Sequence, residues 1–110
     1  MSYDLHITQA ANHDIDSAAD YIEFKLLNPI AADALLEDVH QWIPEVLPFP
    51  YQFPLLNDPL LSTWGIRYVS VNNYLAFYVI DDAAEVVHMI RFLHSRQDWA
   101  AILKQGFSLS

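Results

Sequence analysis

Between Trp64 and Leu93 the chain falls into three apolar runs, separated by short polar breaks. The first is Trp64-Gly65-Ile66-Arg67-Tyr68-Val69-Ser70-Val71 and the second is Tyr74-Leu75-Ala76-Phe77-Tyr78-Val79-Ile80. The third is Glu85-Val86-Val87-His88-Met89-Ile90-Arg91-Phe92-Leu93. All are rich in β-branched and aromatic residues and bounded by turn formers, so they predict three antiparallel strands. Asn72-Asn73 is a two-residue hairpin signal, because Asn tolerates the positive φ that such turns demand.

The predicted register follows from the turns. With Asn72-Asn73 as the loop, Val71 faces Tyr74, Val69 faces Ala76 and Arg67 faces Tyr78. With Asp82-Ala83 centring the next turn, Tyr78 faces Val87, Ala76 faces Met89 and Tyr74 faces Arg91. Alternation then puts Arg67, Val69, Val71, Tyr74, Ala76, Tyr78, Val87, Met89 and Arg91 on one face. Ile66, Tyr68, Ser70, Leu75, Phe77, Val79, Val86, His88, Ile90 and Phe92 fall on the other. The second set is large and apolar and is the expected core face. A one-residue slip would carry Arg91 into that core unpaired, which packing opposes.

Upstream, Tyr3 to Thr8 alternates weakly and reads as a short strand. Asn12 is a candidate cap, with Asp14 and Asp16 suited to the positive end of a helix. Ile15, Ala18, Ala19, Ile22 and Leu26 then repeat with helical spacing, predicting a helix from about His13 to Leu27. Asn28-Pro29 starts a second helix, with Asn as cap and Pro in the first position. Its stripe is Ala32, Leu35, Leu36, Val39 and Ile43, and Pro44 should end or kink it. The tight joint makes an antiparallel helical hairpin. From Pro44 to Thr63 five prolines disfavour regular structure while many leucines and aromatics demand burial, so a long ordered loop is expected. After the sheet, Ser95-Arg96-Gln97-Asp98 fits a capping box opening a last helix with Trp99, Ile102 and Leu103 inward, stopped near Gly106. The fold class is therefore α+β: an N-terminal strand, a helical hairpin, a three-stranded antiparallel meander completing a small sheet, and a short C-terminal helix.

Composition narrows the function. The 110 residues suit one domain, residues 1–110, and with 54% apolar residues they can bury a sizeable core. There is no cysteine, which removes disulfides and thiolate metal sites. No apolar run approaches the ~20 residues of a membrane span and no signal-peptide pattern opens the chain, so a cytoplasmic protein without membrane contact is the expectation. The net charge is −9, with five Lys plus Arg. That balance repels phosphate backbones, so direct binding to free DNA is not expected.

Several segments together resemble a known family. They are Tyr21-Ile22, Asn28-Pro29-Ile30-Ala31-Ala32, Leu47-Pro48-Phe49-Pro50, Gly65-Ile66-Arg67, Tyr74-Leu75-Ala76-Phe77-Tyr78, and Ile90-Arg91-Phe92-Leu93-His94-Ser95-Arg96-Gln97-Asp98-Trp99. In this order and spacing, from about Tyr3 to Leu103, they look like the RelE/ParE superfamily of type II toxin–antitoxin toxins, also called plasmid stabilisation proteins. The resemblance implies a growth-inhibiting toxin neutralised by a cognate antitoxin, with no cofactor. ParE-like members poison DNA gyrase; RelE-like members enter the ribosome and cut mRNA. The latter chemistry needs a base, an acid and cations on the developing phosphorane. Arg67 matches a family arginine, Arg96 resembles a second, and His94 lies near the place of a catalytic histidine in some members. The lysines usual before the Arg67 strand are missing from Leu55 to Thr63, and Trp99 stands near where a tyrosine is expected. With the negative charge, these departures rank gyrase above the ribosome as target. A non-toxic partner-binding member is a third reading, and a homodimer through the helical hairpin is also open.

Each candidate has a plainer reading. Arg67 and Arg91, two of three arginines, could simply pair with carboxylates at little measurable benefit. Together with Tyr74 and Tyr78 on one sheet face, Arg91 is instead a candidate for partner or target binding, as is Trp99 near the sheet's end. Tyr74 and Tyr78 are cross-strand aromatics first and stacking platforms second. His94 has no identifiable carboxylate partner and reads more simply as a turn histidine. His88 reads as a hydrogen-bonded core histidine, and His6, His13 and His40 lack the spacing of a metal site, so no metal is expected. The Pro-rich loop and the sheet edge are the natural seats for an antitoxin segment, and the acidity of the chain suggests that this segment is basic.

Overall fold

The computed structural model describes residues 3–110. In chain order the elements are β1 (Asp4–Ile7), α1 (Gln9–Asp20), α2 (Pro29–Trp42), α3 (Pro59–Thr63), β2 (Arg67–Val71), β3 (Tyr74–Asp81), β4 (Val86–His94) and α4 (Trp99–Lys104). The strands form one sheet in the order β1-β4-β3-β2, with β1 parallel to β4 and the other pairs antiparallel. This is the expected α+β class and element order, with one short helix added in the loop.

Helix α1 begins earlier than the Asn12 signal predicts. Thr8 is the cap: its hydroxyl accepts from the Ala11 amide at 3.2 Å and donates to the Ile90 carbonyl at 3.2 Å. That buried side chain ties the helix start to β4. The extra turn went unread because its one core residue, the fully buried Ala11, is too small to mark a stripe. The helix ends in a π-helical turn, Tyr21–Lys25, followed by Leu27 in the left-handed region at φ 52. Helix α2 starts as expected, with the Asn28 side chain accepting from Ala31 N–H at 3.0 Å and Pro29 in the first position. Past α2 the Pro-rich stretch makes two 3₁₀ turns, Ile43–Val46 and Pro50–Gln52. The unexpected α3 is capped by Asp58, which accepts from Leu60 and Leu61 N–H at 2.9 and 3.0 Å. Asp58-Pro59 is the same cap-then-proline signal as Asn28-Pro29.

The β2–β3 hairpin has the expected register, Arg67↔Tyr78, Val69↔Ala76 and Val71↔Tyr74, with Asn72 at φ 55 in the turn. The β3–β4 register differs from expectation. Tyr78 pairs with Met89, Ala76 with Phe92 and Tyr74 with His94. Two causes add. The turn is closed by Asp81↔Val86, so Asp82 to Glu85 form a four-residue loop, with Asp81 accepting from Ala84 N–H at 3.1 Å. That shifts the pairing by two. A bulge between Phe77 and Tyr78 shifts it once more, which exchanges faces beyond Ile90.

Both faces of the sheet are consequently covered. Val69, Val71, Tyr74, Ala76, Met89 and Phe92 pack under the helical hairpin with Ile15, Ala18, Leu35, Val39 and Ile43. Ile66, Phe77, Ile90 and Leu93 pack with Leu56, Leu61, Leu103 and Trp99. The face expected to be the core is one of two. The valines and Ala76 on the opposite face give the helices room to approach closely. Phe92 moves to the helix side because of the bulge. The charge of Arg91, costly if unpaired, is met by Asp14 of α1. At the C-terminal end Asp98, not Ser95, caps α4 by accepting from Ala101 N–H at 3.3 Å. Gly106 at φ 95 stops it, donating to the Leu103 carbonyl at 3.0 Å. No helix among the described residues is long and apolar enough to cross a membrane.

Candidate functional site

The residues singled out in the sequence fall at opposite ends of the sheet. At one end is Arg67, the first residue of β2. Its guanidinium donates to the Phe53 carbonyl at 2.6 Å and to the Tyr51 carbonyl at 3.4 Å, and lies 5.0 Å from the centre of the Tyr51 ring. The loop that receives it is pinned elsewhere as well. Leu56 N–H donates to Ile66 O at 3.0 Å, and Leu55 forms a bridge with Arg67. The Tyr78 hydroxyl donates to the Pro50 carbonyl at 2.6 Å from a fully buried ring. Burial pushes the Tyr78 phenol up to about 12, against a smaller opposing pull from Arg67. Asp82, in the β3–β4 turn, accepts from both the Tyr51 and Tyr3 hydroxyls. Those two bonds, Tyr51 first, hold the Asp82 carboxyl below its ordinary range, and Asp82 raises both phenols in turn.

His94 and Arg96 lie at the other end. His94 pairs with Tyr74, and the two rings meet edge to face at 5.1 Å. Its Nδ1 accepts from the Arg96 backbone N–H at 3.1 Å. The neutral ring therefore carries its proton on Nε2. The Arg96 side chain is exposed. Tyr74 also stacks on Phe92, with centroids 5.0 Å apart, and burial raises its phenol. Tyr74, Phe92 and His94 line an open cavity of about 510 Å³ against α1, whose polar groups include Asp14, Ser17, His94 and Gln97. Beside that cavity Arg91 is fixed by Asp14 in a two-pronged pair, Nε at 2.6 Å and an Nη at 2.9 Å, and the same carboxylate accepts from Phe92 N–H at 3.0 Å. The pair raises the Arg91 guanidinium above its ordinary value.

The two ends do not meet. Along β3, Tyr78 beside Arg67 and Tyr74 beside His94 are four residues apart. That is roughly 13 Å along the sheet and about 10 Å across it, or roughly 16 Å between backbones. Of the expected partner-binding residues, Arg91 and Tyr74 stay partly exposed at the cavity. Tyr78 has no surface to offer, and Trp99 is half buried, packing on Phe77 at 5.6 Å. Sequence reasoning missed Asp14 and Asp82. In sequence Asp14 has the place of a helix-end charge and Asp82 that of a turn former.

A second open cavity, about 520 Å³, lies beside the exposed Trp42 and Phe49 and runs to Val69 and Ser70 on the sheet's β2 edge. Much of the helical hairpin's tip is also uncovered: Phe24, Leu26, Leu27 and Ile30 are all exposed.

Comparison with known proteins places this geometry. The model of the family described as ParE toxin of type II toxin–antitoxin system, parDE, matches residues 5–99. No curated protein matches. Among solved structures, a chain of the chromosomal ParDE toxin–antitoxin system from P. aeruginosa is similar, with TM-score 0.69 and 17% identity over 84% of this chain and 95% of that one. A chain of the toxin–antitoxin complex RelBE2 from Mycobacterium tuberculosis superposes with TM-score 0.55 and 21% identity, over 86% of this chain and 99% of that one. At such identities these two likenesses speak for the fold.

Proposed function

Because the chain belongs to the family of ParE toxins of type II toxin–antitoxin systems, we propose that it arrests bacterial growth by poisoning DNA gyrase and is neutralised by a cognate antitoxin. The observation that carries the choice of target is the dispersal of the nuclease candidates. Groups that cleave one phosphodiester must reach it together. Arg67 is engaged with the loop at one end of the sheet, while His94 and Arg96 stand at the other. The His94 Nδ1 is engaged by the Arg96 backbone N–H and is not turned toward the Arg67 end. The net charge of −9 also opposes docking on ribosomal RNA. A toxin that acts by binding a protein target needs neither an assembled phosphate site nor a positive surface.

The β2 edge and the apolar cavity beside Trp42 and Phe49 support an antitoxin segment that adds to the sheet edge and lays apolar side chains against the loop. Given the toxin's acidity, basic residues on that segment would complement it.

The test is to incubate the purified chain with gyrase, ATP and supercoiled plasmid, and to score linear DNA after protein denaturation. In parallel the chain is expressed alone in cells carrying a DNA-damage reporter. Linear DNA and an induced reporter are expected. Growth arrest with a silent reporter and cleaved mRNA, abolished by Arg96→Ala or His94→Gln, would replace this reading with the ribosome-dependent nuclease.

A further inference from the structure

Two histidines that the sequence keeps far apart meet in the fold. His6 of β1 and His88 of β4 are direct partners across the parallel strand pair. Their Nδ1 atoms lie 2.8 Å apart, with the rings nearly perpendicular and centroids at 5.0 Å. Both side chains are half buried, so they are held by the sheet yet open to solvent on one side. The contact uses a single proton: one Nδ1 donates and the other accepts. Nothing in the toxin reading uses this pair.

We propose that His6 and His88 form a two-imidazole chelate for a tetragonal divalent transition ion, Cu²⁺ above Ni²⁺. Among the described residues no cluster of three or more His, Asp or Glu could hold a metal, so the remaining positions belong to water. The argument for the class of ion is the donor set. Two imidazole nitrogens from directly paired residues, completed by water oxygens, make the mixed nitrogen and oxygen set that suits tetragonal Cu²⁺ and Ni²⁺, and Cu²⁺ heads the usual affinity order. Structural Zn²⁺ sites instead close four protein ligands, and among the described residues no third ligand joins these two. On binding, each ring turns its Nδ1 lone pair from its neighbour toward the ion. The ring that donated moves its proton from Nδ1 to Nε2, which leaves both Nδ1 lone pairs for the ion. Backbone pairing already sets the spacing of the two side chains, so little order has to be gained.

The ion would bridge the four-residue edge strand β1 to the centre of the sheet. Binding to the folded state alone stabilises it, and at a free ion concentration one hundred times the Kd the Tm should rise by roughly 10 °C.

The test titrates the purified full chain with Cu²⁺, Ni²⁺ and Zn²⁺ separately by calorimetry. Expected are one ion per chain, affinity falling from Cu²⁺ to Ni²⁺ to Zn²⁺, and a loss of at least about tenfold in His6→Gln and in His88→Gln but not in His13→Gln. A readout on the unaltered protein guards against variants that misfold. Substoichiometric Cu²⁺ should broaden amide resonances at residues 5–7 and 87–89 first, and its electron paramagnetic resonance should show two equatorial imidazole nitrogens. Absence of binding by all three ions would overturn the proposal. So would equal affinity in both glutamine variants, broadening centred on His13 or His40, or Zn²⁺ binding tightest.

Discussion

Replacing Tyr78 by Phe separates two contributions of one hydroxyl, each with its own pH signature. The ring is fully buried, its O–H donates to the Pro50 carbonyl at 2.6 Å, and burial raises its pKa to about 12. In Tyr78→Phe the Pro50 carbonyl loses its donor at a buried position, which should cost about 1–2 kcal/mol at pH 8. The second contribution is linkage. An unfolded tyrosine ionises near pH 10, whereas the folded one keeps its proton until about 12. A folded pKa raised in this way gives stability that is complete below pH 10 and is lost as the pH rises toward 12. At pH 11 the ratio of unfolded to folded binding polynomials is about ten, so the wild type has lost about 1.4 kcal/mol there through this group. The phenylalanine has nothing to lose. Tyr3, Tyr51 and Tyr74, whose phenols are also raised, are common to both proteins and cancel in the difference. Urea denaturation at pH 8, 10 and 11 should therefore show the stability gap between wild type and variant shrinking by about 1.4 kcal/mol across the series. A gap constant from pH 8 to pH 11 would refute the account of Tyr78 as a buried, hydrogen-bonded phenol.

Asp14→Ala strands both the Arg91 guanidinium and the Phe92 N–H, and because Arg91 is partly exposed the cost should sit near 2–3 kcal/mol, below the limit for a fully buried pair. Arg91→Ala should cost less, since Asp14 keeps the Phe92 N–H; urea midpoints that reverse this order would contradict the geometry. Leu27→Gly removes an exposed side chain from a φ of 52 and should raise stability by roughly 1 kcal/mol, read as a higher urea midpoint, with no gain counting against backbone strain there. The Asp82 carboxyl is depressed by the Tyr51 and Tyr3 hydroxyls, so its contribution is present above about pH 4 and is lost as the pH falls. A Tm series from pH 6 to pH 3 should accordingly fall less steeply in Asp82→Asn, and parallel profiles would discount the pair of bonds. Arg67→Ala, which frees the Phe53 and Tyr51 carbonyls, should cost about 1–2 kcal/mol in urea denaturation, whereas Arg96→Ala should leave the midpoint unchanged.

How far the chain could be read depended on the range of the interactions that decide each feature. The Asn72-Asn73 turn is local, and the whole β2–β3 register followed from it. The Asn28-Pro29 start of α2 was equally local. The β3–β4 register was not, because it rests on a four-residue loop and a bulge that let Phe92 reach the helix side and Leu93 the other. A count of apolar alternation cannot see a bulge, since the extra residue is itself apolar: Ile90 fits either count. The start of α1 escaped for a similar reason, because Thr8 caps the helix while bonding to β4 across the fold. Most distant of all is the pairing of β1 with β4, which alone brings His6 to His88. Separately each histidine has an ordinary reading, and only the parallel register makes them one feature.

The same distinction bears on how the family's marked residues should be tested. Arg67 matches a family position and invites the reading of a phosphate-binding cation. In the fold its guanidinium is spent on two carbonyls and one aromatic ring of the Pro-rich loop. Loss of toxicity in Arg67→Ala would thus report a loosened loop as readily as lost chemistry, and the loop borders the surface proposed for the antitoxin. Arg96 and His94 carry no comparable structural duty in their side chains beyond one backbone bond and one ring contact. Substitutions there leave the core intact, so they discriminate between a nuclease and a gyrase poison where Arg67 cannot. If toxicity survives both, the negative surface and the divided site have one consistent explanation: growth arrest proceeds through a protein target that the chain binds without cutting nucleic acid itself.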